Sequence, residues 1–470
     1  MCIYAERRNV NSSITIFSLC RAMGNTESAV VQKRMIRFRP EERPVVERVF
    51  DHLLEAGSGR APGSSEKVLT LDALKVSVAG VVPEPMAVRL FQAMQSVGPG
   101  GTAPPGGGVS REQLLVFLAD VFHGTAEERA PLVMAMASGE GGATVTANQV
   151  REFVEDLVSA VIQTLTSRGR LQGWRPDRME DGEQGVKLLA EQMSSELKLT
   201  DQQACDVGCL EDWLFRVSGV ALYLELVTGE GLGVRLPSQP PLPLLPACGP
   251  APWAELRSLL HLPLLLFLYP QLPAHSAPWR PLFSTRLHGE SFSRLVSCCV
   301  RRGPTLLLLR DADGHRFGGF ASHSWDTKPQ FQGDSRCFLF SVFPTMRVYT
   351  YTGYNEHYMY LNHSQQTMPN GLGMGGQHEY FGLWLDSEFG RGHSRARPRC
   401  TTYGSPQLSG QEDFTLETVE VWGVGDPPEE QQAQGKRSVL DADPETQAIM
   451  EMTGKTLHSQ GLREPEEEEL

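Results

Sequence analysis

The sequence predicts an α+β chain, with an all-helical first half and a second half of short antiparallel strands. Three observations carry this. Residues 40–165 alternate apolar runs at helical spacing with Gly/Pro/Ser-rich breaks. Seven prolines fall between Pro237 and Pro252, a composition that interrupts helix and strand alike. Beyond Leu282 the texture becomes short apolar runs separated by Gly and Asp turns.

With 470 residues, 40% hydrophobic and 21% charged, the chain can bury a core in each of about two or three domains. The formal charge of −13, without a Lys/Arg cluster able to neutralise phosphates, argues against a nucleic-acid partner. The nine cysteines are odd in number and contain no Cys-x-x-Cys pair, so neither a disulfide framework nor a metal site is expected, and a reducing compartment fits. The most apolar stretch, Leu256–Leu272, is interrupted by His261, Pro263 and Pro270 and is too broken to span a bilayer.

Taken in order, residues 1–22 read as an upstream extension. Met23-Gly24-Asn25-Thr26-Glu27-Ser28 fits the N-myristoylation pattern, with Gly24 the acceptor once translation starts at Met23 and that methionine is removed. One myristoyl chain holds a membrane only marginally. Residues 23–39 therefore read as a lipidated segment whose cations Lys33, Arg34, Arg37 and Arg39 supply a second contact, unless a membrane-resident partner does. The plainer alternative is an ordinary flexible glycine.

Residues 40–170 carry helices such as the one bearing Val46, Val49, Phe50 and Leu53. A small unit recurs before them, at Val68-Leu69-Thr70, Gly108-Val109-Ser110 and Thr144-Val145-Thr146. Ser110 with Gln113 and Thr146 with Gln149 are capping boxes, in which hydroxyl and amide satisfy the free donors that open a helix. An apolar residue followed by such a cap resembles the late positions of EF-hand loops. The calcium ligands are missing, because aligning Val145 puts Ser138 first and Gln149 last and leaves Glu140 as the single carboxylate. The expectation is a degenerate EF-hand-like scaffold without metal, with a generic helical bundle as the alternative. A helical connector over 171–236, with Trp213, Leu214, Val217, Leu222 and Leu226 facing inward, and a Pro-rich linker over 237–254 complete this half.

In the second half, Thr305–Arg310 reads as a buried strand, Asp311-Ala312-Asp313-Gly314 as its turn, and Phe317-Gly318-Gly319-Phe320 as the returning strand. Gly371, Gly373, Gly375 and Gly376 form a glycine-rich loop that lacks the Lys-Ser/Thr of a phosphate-binding loop, so close backbone packing explains it better. His288-Gly289-Glu290-Ser291-Phe292, Gly314–Phe320, Gly333–Phe340, Gly371–Gly376, Phe381–Asp386 and Val419-Glu420-Val421-Trp422 form ordered blocks over the region 255–425. Together they resemble the TLDc domain family, and with the Met23–Ser28 string the whole is similar to its lysosome- and mTOR-associated eak-7-type branch.

That resemblance implies an antiparallel β-sandwich flanked by helices. It implies an adaptor without enzymatic activity, on the cytoplasmic face of the lysosomal membrane and in the cytoplasm, with the V-type proton ATPase and mTOR pathway components as partners. No cofactor is implied. A second implication is an antioxidant role like that of some relatives, which would need an activated thiolate such as Cys337 or Cys400. His and carboxylate residues abound here, yet no His-Glu-x-x-His, Gly-x-Ser-x-Gly or Cys/His spacing joins them into a catalytic set.

The remainder, 426–470, is acidic, with 12 Asp/Glu against 4 Lys/Arg. Within it Asp443 and Pro444 suit the start of a helix over 444–458. Pro444, Ile449, Met450 and Met452 are its candidate partner-binding residues, since a free amphipathic helix can dock in a groove. An end that frays or packs back on the chain's own β-rich half is the alternative.

Overall fold

The computed structural model describes residues 29–56, 67–97, 107–139, 142–198, 204–237, 243–273 and 277–425. They divide into two compact units. One comprises the residues up to Leu171 with Gly182–Leu244 and Leu262–Phe267, and the other comprises Gln172–Asp181, Leu245–His261 and the residues from Leu268 on.

The first unit is helical. Its elements are α1 (Ala29–Met35), α2 (Arg43–Ala56), α3 (Leu71–Val78), α4 (Glu84–Ser96), α5 (Arg111–His123), α6 (Ala126–Ser138), α7 (Ala147–Ser167), α8 (Glu183–Ser194), α9 (Val207–Arg216) and α10 (Gly219–Leu232). The segments that precede α3 and α5 pair through Leu69 and Val109, whose backbones exchange hydrogen bonds of 2.9 and 2.8 Å. Those that precede α7 and α9 pair through two-residue strands, β1 (Val145–Thr146) and β2 (Ala204–Cys205). Both capping boxes form.

This is the paired helix–loop–helix plan of EF-hands, and it contains a fourth unit not evident from the repeat. Its cap is Asp206, whose carboxylate accepts from the Cys209 N–H at 2.8 Å. Cys205 of β2 and Cys209 in the first turn of α9 also form a disulfide, where none was expected, because the turn into the helix brings their Cα atoms to 5.4 Å. Of the residues expected to face inward, Trp213 and Leu214 are buried, but Leu222 and Leu226 are only half-buried. The chain breaks between α9 and α10, so α10 starts a new phase and buries Val220, Tyr223, Leu224 and Val227 instead.

After α11 (Leu262–Leu268) the second unit is β-rich. Its elements are β3 (Arg280–Ser284), α12 (Thr285–His288), α13 (Phe292–Cys299), β4 (Thr305–Asp311), β5 (Arg316–Ala321), β6 (Lys328–Gln332), β7 (Phe338–Phe343), β8 (Arg347–Tyr349), β9 (Met359–Asn362), β10 (Gly371–Gln377), β11 (Tyr380–Asp386), β12 (Arg391–His393) and β13 (Asp413–Gly423). The strands run antiparallel in the order β6-β9-β10-β11-β12-β13-β4-β5-β7-β8, with β3 on β13. Strand β13 is shared. Its first three residues pair with β12, and the remainder pairs with β4 and β3.

The two halves of this sheet pack face to face as a sandwich. Phe283, Leu307, Leu309, Phe317 and Leu339 from one side share a core with Met359, Leu361, Leu372, Met374, Leu383 and Leu385 from the other. The Asp311–Gly314 turn joins β4 to β5, with the Asp311 carboxylate accepting the His315 N–H at 2.8 Å and Gly314 at φ +88°.

One side chain ties the unit's earlier segments to this sheet. Glu420 on β13 is 1% exposed and accepts from the Ser258 hydroxyl at 2.7 Å, the Leu259 N–H at 3.0 Å and the Trp422 indole at 3.1 Å. Burial raises its pKa while the three donors oppose that rise. Glu420→Ala would leave three buried donors unpaired and is expected to destabilise the unit by about 3 kcal/mol, with Glu420→Gln costing less. Urea unfolding followed by tryptophan emission checks this; equal midpoints for wild type and Glu420→Ala would contradict it.

Candidate interaction surfaces

Gly24, Pro444, Ile449, Met450 and Met452 lie outside the described residues. The basic segment beside Gly24 is described from Ala29, and its cations divide into two kinds. Helix α1 turns Val31 and Met35 inward, and Phe38 follows them into the core. Arg34 and Arg37 flank that buried face and reach Asp120 and Glu128. The Arg34 Nε lies 2.8 Å from Asp120, Arg37 donates to both Glu128 oxygens at 2.5 and 2.6 Å, and Arg34 also pairs with Glu128. Two of the four cations expected to meet a membrane are therefore held internally. Lys33 and Arg39 remain exposed, as do Val30 and Ile36.

Burial pushes the Asp120 carboxyl up to about 6 against the attraction of Arg34. The Arg37 hydrogen bonds hold Glu128 down at about 2. The two groups have opposite linkage. Glu128 contributes stability that is complete above its unfolded value near 4.5 and is lost as pH falls towards about 2. Asp120 instead carries a penalty that grows as pH rises from 3.8 through about 6.

In the β-rich unit, the glycine block proves to be strand β10 rather than a loop. Leu372 and Met374 enter the core, and Gly371 and Gly373 face a second, smaller cluster of rings. A Cβ on Gly373 would lie 2.7 Å from the Phe381 ring. Gly376, at φ +82°, closes the turn into β11. On that face Phe381 stacks on Trp384 at 4.5 Å, Phe331 stacks on His357 at 4.0 Å, and Tyr360, His378 and His393 fill between. At one margin an open cleft of about 440 Å³ is lined by Trp384, Asp386, Arg391, His393, Arg395 and Asp413. Arg395 pairs with Asp413 at 2.7 Å. Burial and the neighbouring Arg395 push His393 down to about 4, so its imidazole is neutral near pH 7. Tyr360, Phe381 and Trp384 are themselves buried, so the ring layer is a second, smaller core behind the cleft.

The two thiols singled out from the sequence are buried. Burial raises Cys337 against hydrogen bonds from Ser322, and raises Cys400 against backbone donors around Tyr403. Both are held as thiols, the opposite of an activated nucleophile. Among the described residues no group of three or more His, Cys, Asp or Glu is gathered as a metal would need, and no helix is long and apolar enough to cross a membrane.

The ion pairs at α1 have a measurable role. Glu128→Gln preserves the capping box with Thr125 while removing the charge, so it isolates the pairing energy. It is expected to cost about 2 kcal/mol at pH 7, against less than about 1 kcal/mol for Asp120→Asn, and to flatten the loss of stability below pH 4.5. Amide exchange across residues 29–38 checks it, and unchanged protection would refute it.

Comparison with known proteins agrees with this architecture. The TLDc domain profile matches residues 255–425. A zebrafish (Danio rerio) protein named "MTOR-associated protein MEAK7" is 65% identical over 449 residues, covering 95% of this chain and 100% of that protein. Its human (Homo sapiens) namesake is 45% identical over 459 residues, at 95% and 100% coverage. Human "Nuclear receptor coactivator 7" is 32% identical over 155 residues, which is 32% of this chain and 16% of that protein. The helical half and the β-rich half thus recur together in the MEAK7 relatives, and the chain belongs to the TLDc domain family, in the branch that contains these MTOR-associated proteins.

Proposed function

We propose that this chain is a non-catalytic adaptor of mTOR-linked growth signalling that acts on the cytoplasmic face of the lysosomal membrane, with a further pool in the cytoplasm. It binds the V-type proton ATPase through its TLDc domain and a C-terminal helix over 444–458. The observation that carries the signalling part is the near end-to-end match to relatives named as MTOR-associated. In support of an adaptor, the β-rich unit has an open cleft with paired charges, and Cys337 and Cys400 are buried. Myristate on Gly24 provides the address. The working division is 23–39 for membrane attachment, 40–170 with the connector 171–236 as helical scaffold, 237–254 as linker, 255–425 for partner binding and 426–470 for the partner helix.

Affinity purification from membranes is expected to recover V-type ATPase subunits in stoichiometric amounts, and Gly24→Ala is expected to move the chain to the soluble fraction. Deleting 444–470, or combining Ile449→Asp with Met452→Asp, is expected to weaken ATPase binding by tenfold or more, about 1.4 kcal/mol. Unchanged affinity would remove the helix from the proposal.

The antioxidant alternative makes a separate demand. Hydrogen peroxide consumption should exceed that of an unactivated thiol and vanish in Cys337→Ser or Cys400→Ser. With both thiols buried and protonated, the expected result is no excess rate.

A further inference from the structure

The start of the described chain holds a surface that the internal ion pairs make visible. Helix α1 is fixed on its inner side by Val31, Met35 and Phe38 and by the Arg34 and Arg37 pairs. That leaves Gln32, Lys33 and Ile36 on the outer side, with Val30 at its margin. Ile36 is 71% exposed and Val30 is 45% exposed, so the fold itself does not bury them. Lys33 and the following Arg39 are exposed cations on the same short segment.

We propose that the outer face of α1 together with the segment that follows it, formed by Val30, Lys33, Ile36 and Arg39, is a membrane-docking patch that rests against an anionic lipid surface. The inference rests on the reading of Gly24 as the lipidated residue and names the second contact that reading requires. Three features select a bilayer as the occupant. The apolar side chains are few and sit beside cations, the pairing that suits an acyl–headgroup boundary rather than a dry protein groove. Lys33 and Arg39 complement anionic headgroups, and each basic residue near such a surface strengthens binding about fivefold. Exposed acids do flank the segment at Glu41 and Glu47, but both follow Arg39 in sequence and neither falls among Val30, Lys33 and Ile36.

Reach is the third feature. Val30 follows Gly24 by six positions, and at most about 3.6 Å per position can separate them in space, so both can meet one leaflet. The inner ion pairs belong to the same design. Arg34 and Arg37 do not meet lipid. They hold the patch to the helical unit, so an inserted Ile36 restrains the whole unit and not a loose end.

The test uses the full chain initiated at Met23 and co-expressed with an N-myristoyltransferase, with intact mass reporting the lipid. Co-sedimentation is measured on phosphatidylcholine vesicles with and without phosphatidylserine. Ile36→Asp is expected to weaken binding to both vesicle types by about tenfold. The Lys33→Glu, Arg39→Glu double variant is expected to weaken binding only where phosphatidylserine is present. Circular dichroism should be unchanged, because all three positions are exposed.

A second measurement separates the patch from the lipid. The same chain with an N-terminal histidine tag is tethered to vesicles through a nickel-chelating lipid, and Ile36→Trp is compared with wild type on brominated phosphatidylserine. Extra quenching in the variant supports the patch even if mass analysis finds no myristate on Gly24, in which case the lipidation reading alone fails. Wild-type vesicle binding by both charge and apolar variants, or no extra quenching in the tethered chain, would overturn the patch whatever the state of Gly24.

Discussion

The β-rich unit depends on one buried carboxyl. Glu420 lies on the strand shared by both halves of the sandwich, and it accepts from residues 258 and 259, which precede the first strand of that sandwich. A buried carboxyl is tolerable only when its oxygens are satisfied. The position of the 245–261 segment is therefore coupled to the register of β13. The same logic extends outward. Trp422, one turn of the pleat from Glu420, packs against Trp174 at 5.3 Å, and Trp174 meets Trp253 at 6.1 Å and Trp279 at 5.9 Å while donating to the Pro246 carbonyl at 2.8 Å. Glu180 then clamps Arg310 and Arg316 on neighbouring strands at 2.6 Å each. Segments far apart in sequence form one body with the sheet because a buried carboxyl, four indoles and an ion-pair fork close around β13.

This explains why the proline-rich stretch is more than a spacer. The prolines between 237 and 252 prevent helix and strand, but they do not prevent burial. Leu245 is buried, and Cys248 forms a bridge with Trp279. A chain that cannot form regular hydrogen bonds can still be held by ring packing and by scattered backbone contacts. The sandwich accordingly draws on residues 172–181 and 245–261 as well as on its strands.

Much of this was legible where the signal is local. The Ser110 and Thr146 caps and the 305–320 hairpin each depend on residues adjacent in sequence, and the structure forms them as the sequence implies. The fourth helix–loop–helix unit was missed because its cap is Asp206 and its loop residues are Ala204 and Cys205, so it shares no letters with the other three. The glycine block was read as a loop because glycine carries no strand propensity. It is a strand because Phe381 and Trp384 lie where its side chains would stand. The pairing of Arg34 and Arg37 with Asp120 and Glu128 spans more than 80 residues and leaves no pattern in sequence.

That last pairing changes what a basic cluster means. Four cations in seven residues read as one electrostatic patch, and summed charge alone would assign all four to the same partner. The fold divides them by direction. Arg34 and Arg37 emerge on the flanks of the buried face, where Asp120 and Glu128 already require compensation. Removing those arginines from α1 would leave carboxylates uncompensated in a poorly solvated place, so their first role is to join α1 to α5 and α6. Only Lys33 and Arg39 act outward. A short helix fixed in this way transmits force, since whatever holds Ile36 and Lys33 holds the helical unit in one orientation. A flexible basic tail of the same composition would attract a surface equally well but would orient nothing. The internal ion pairs thus trade attraction for direction.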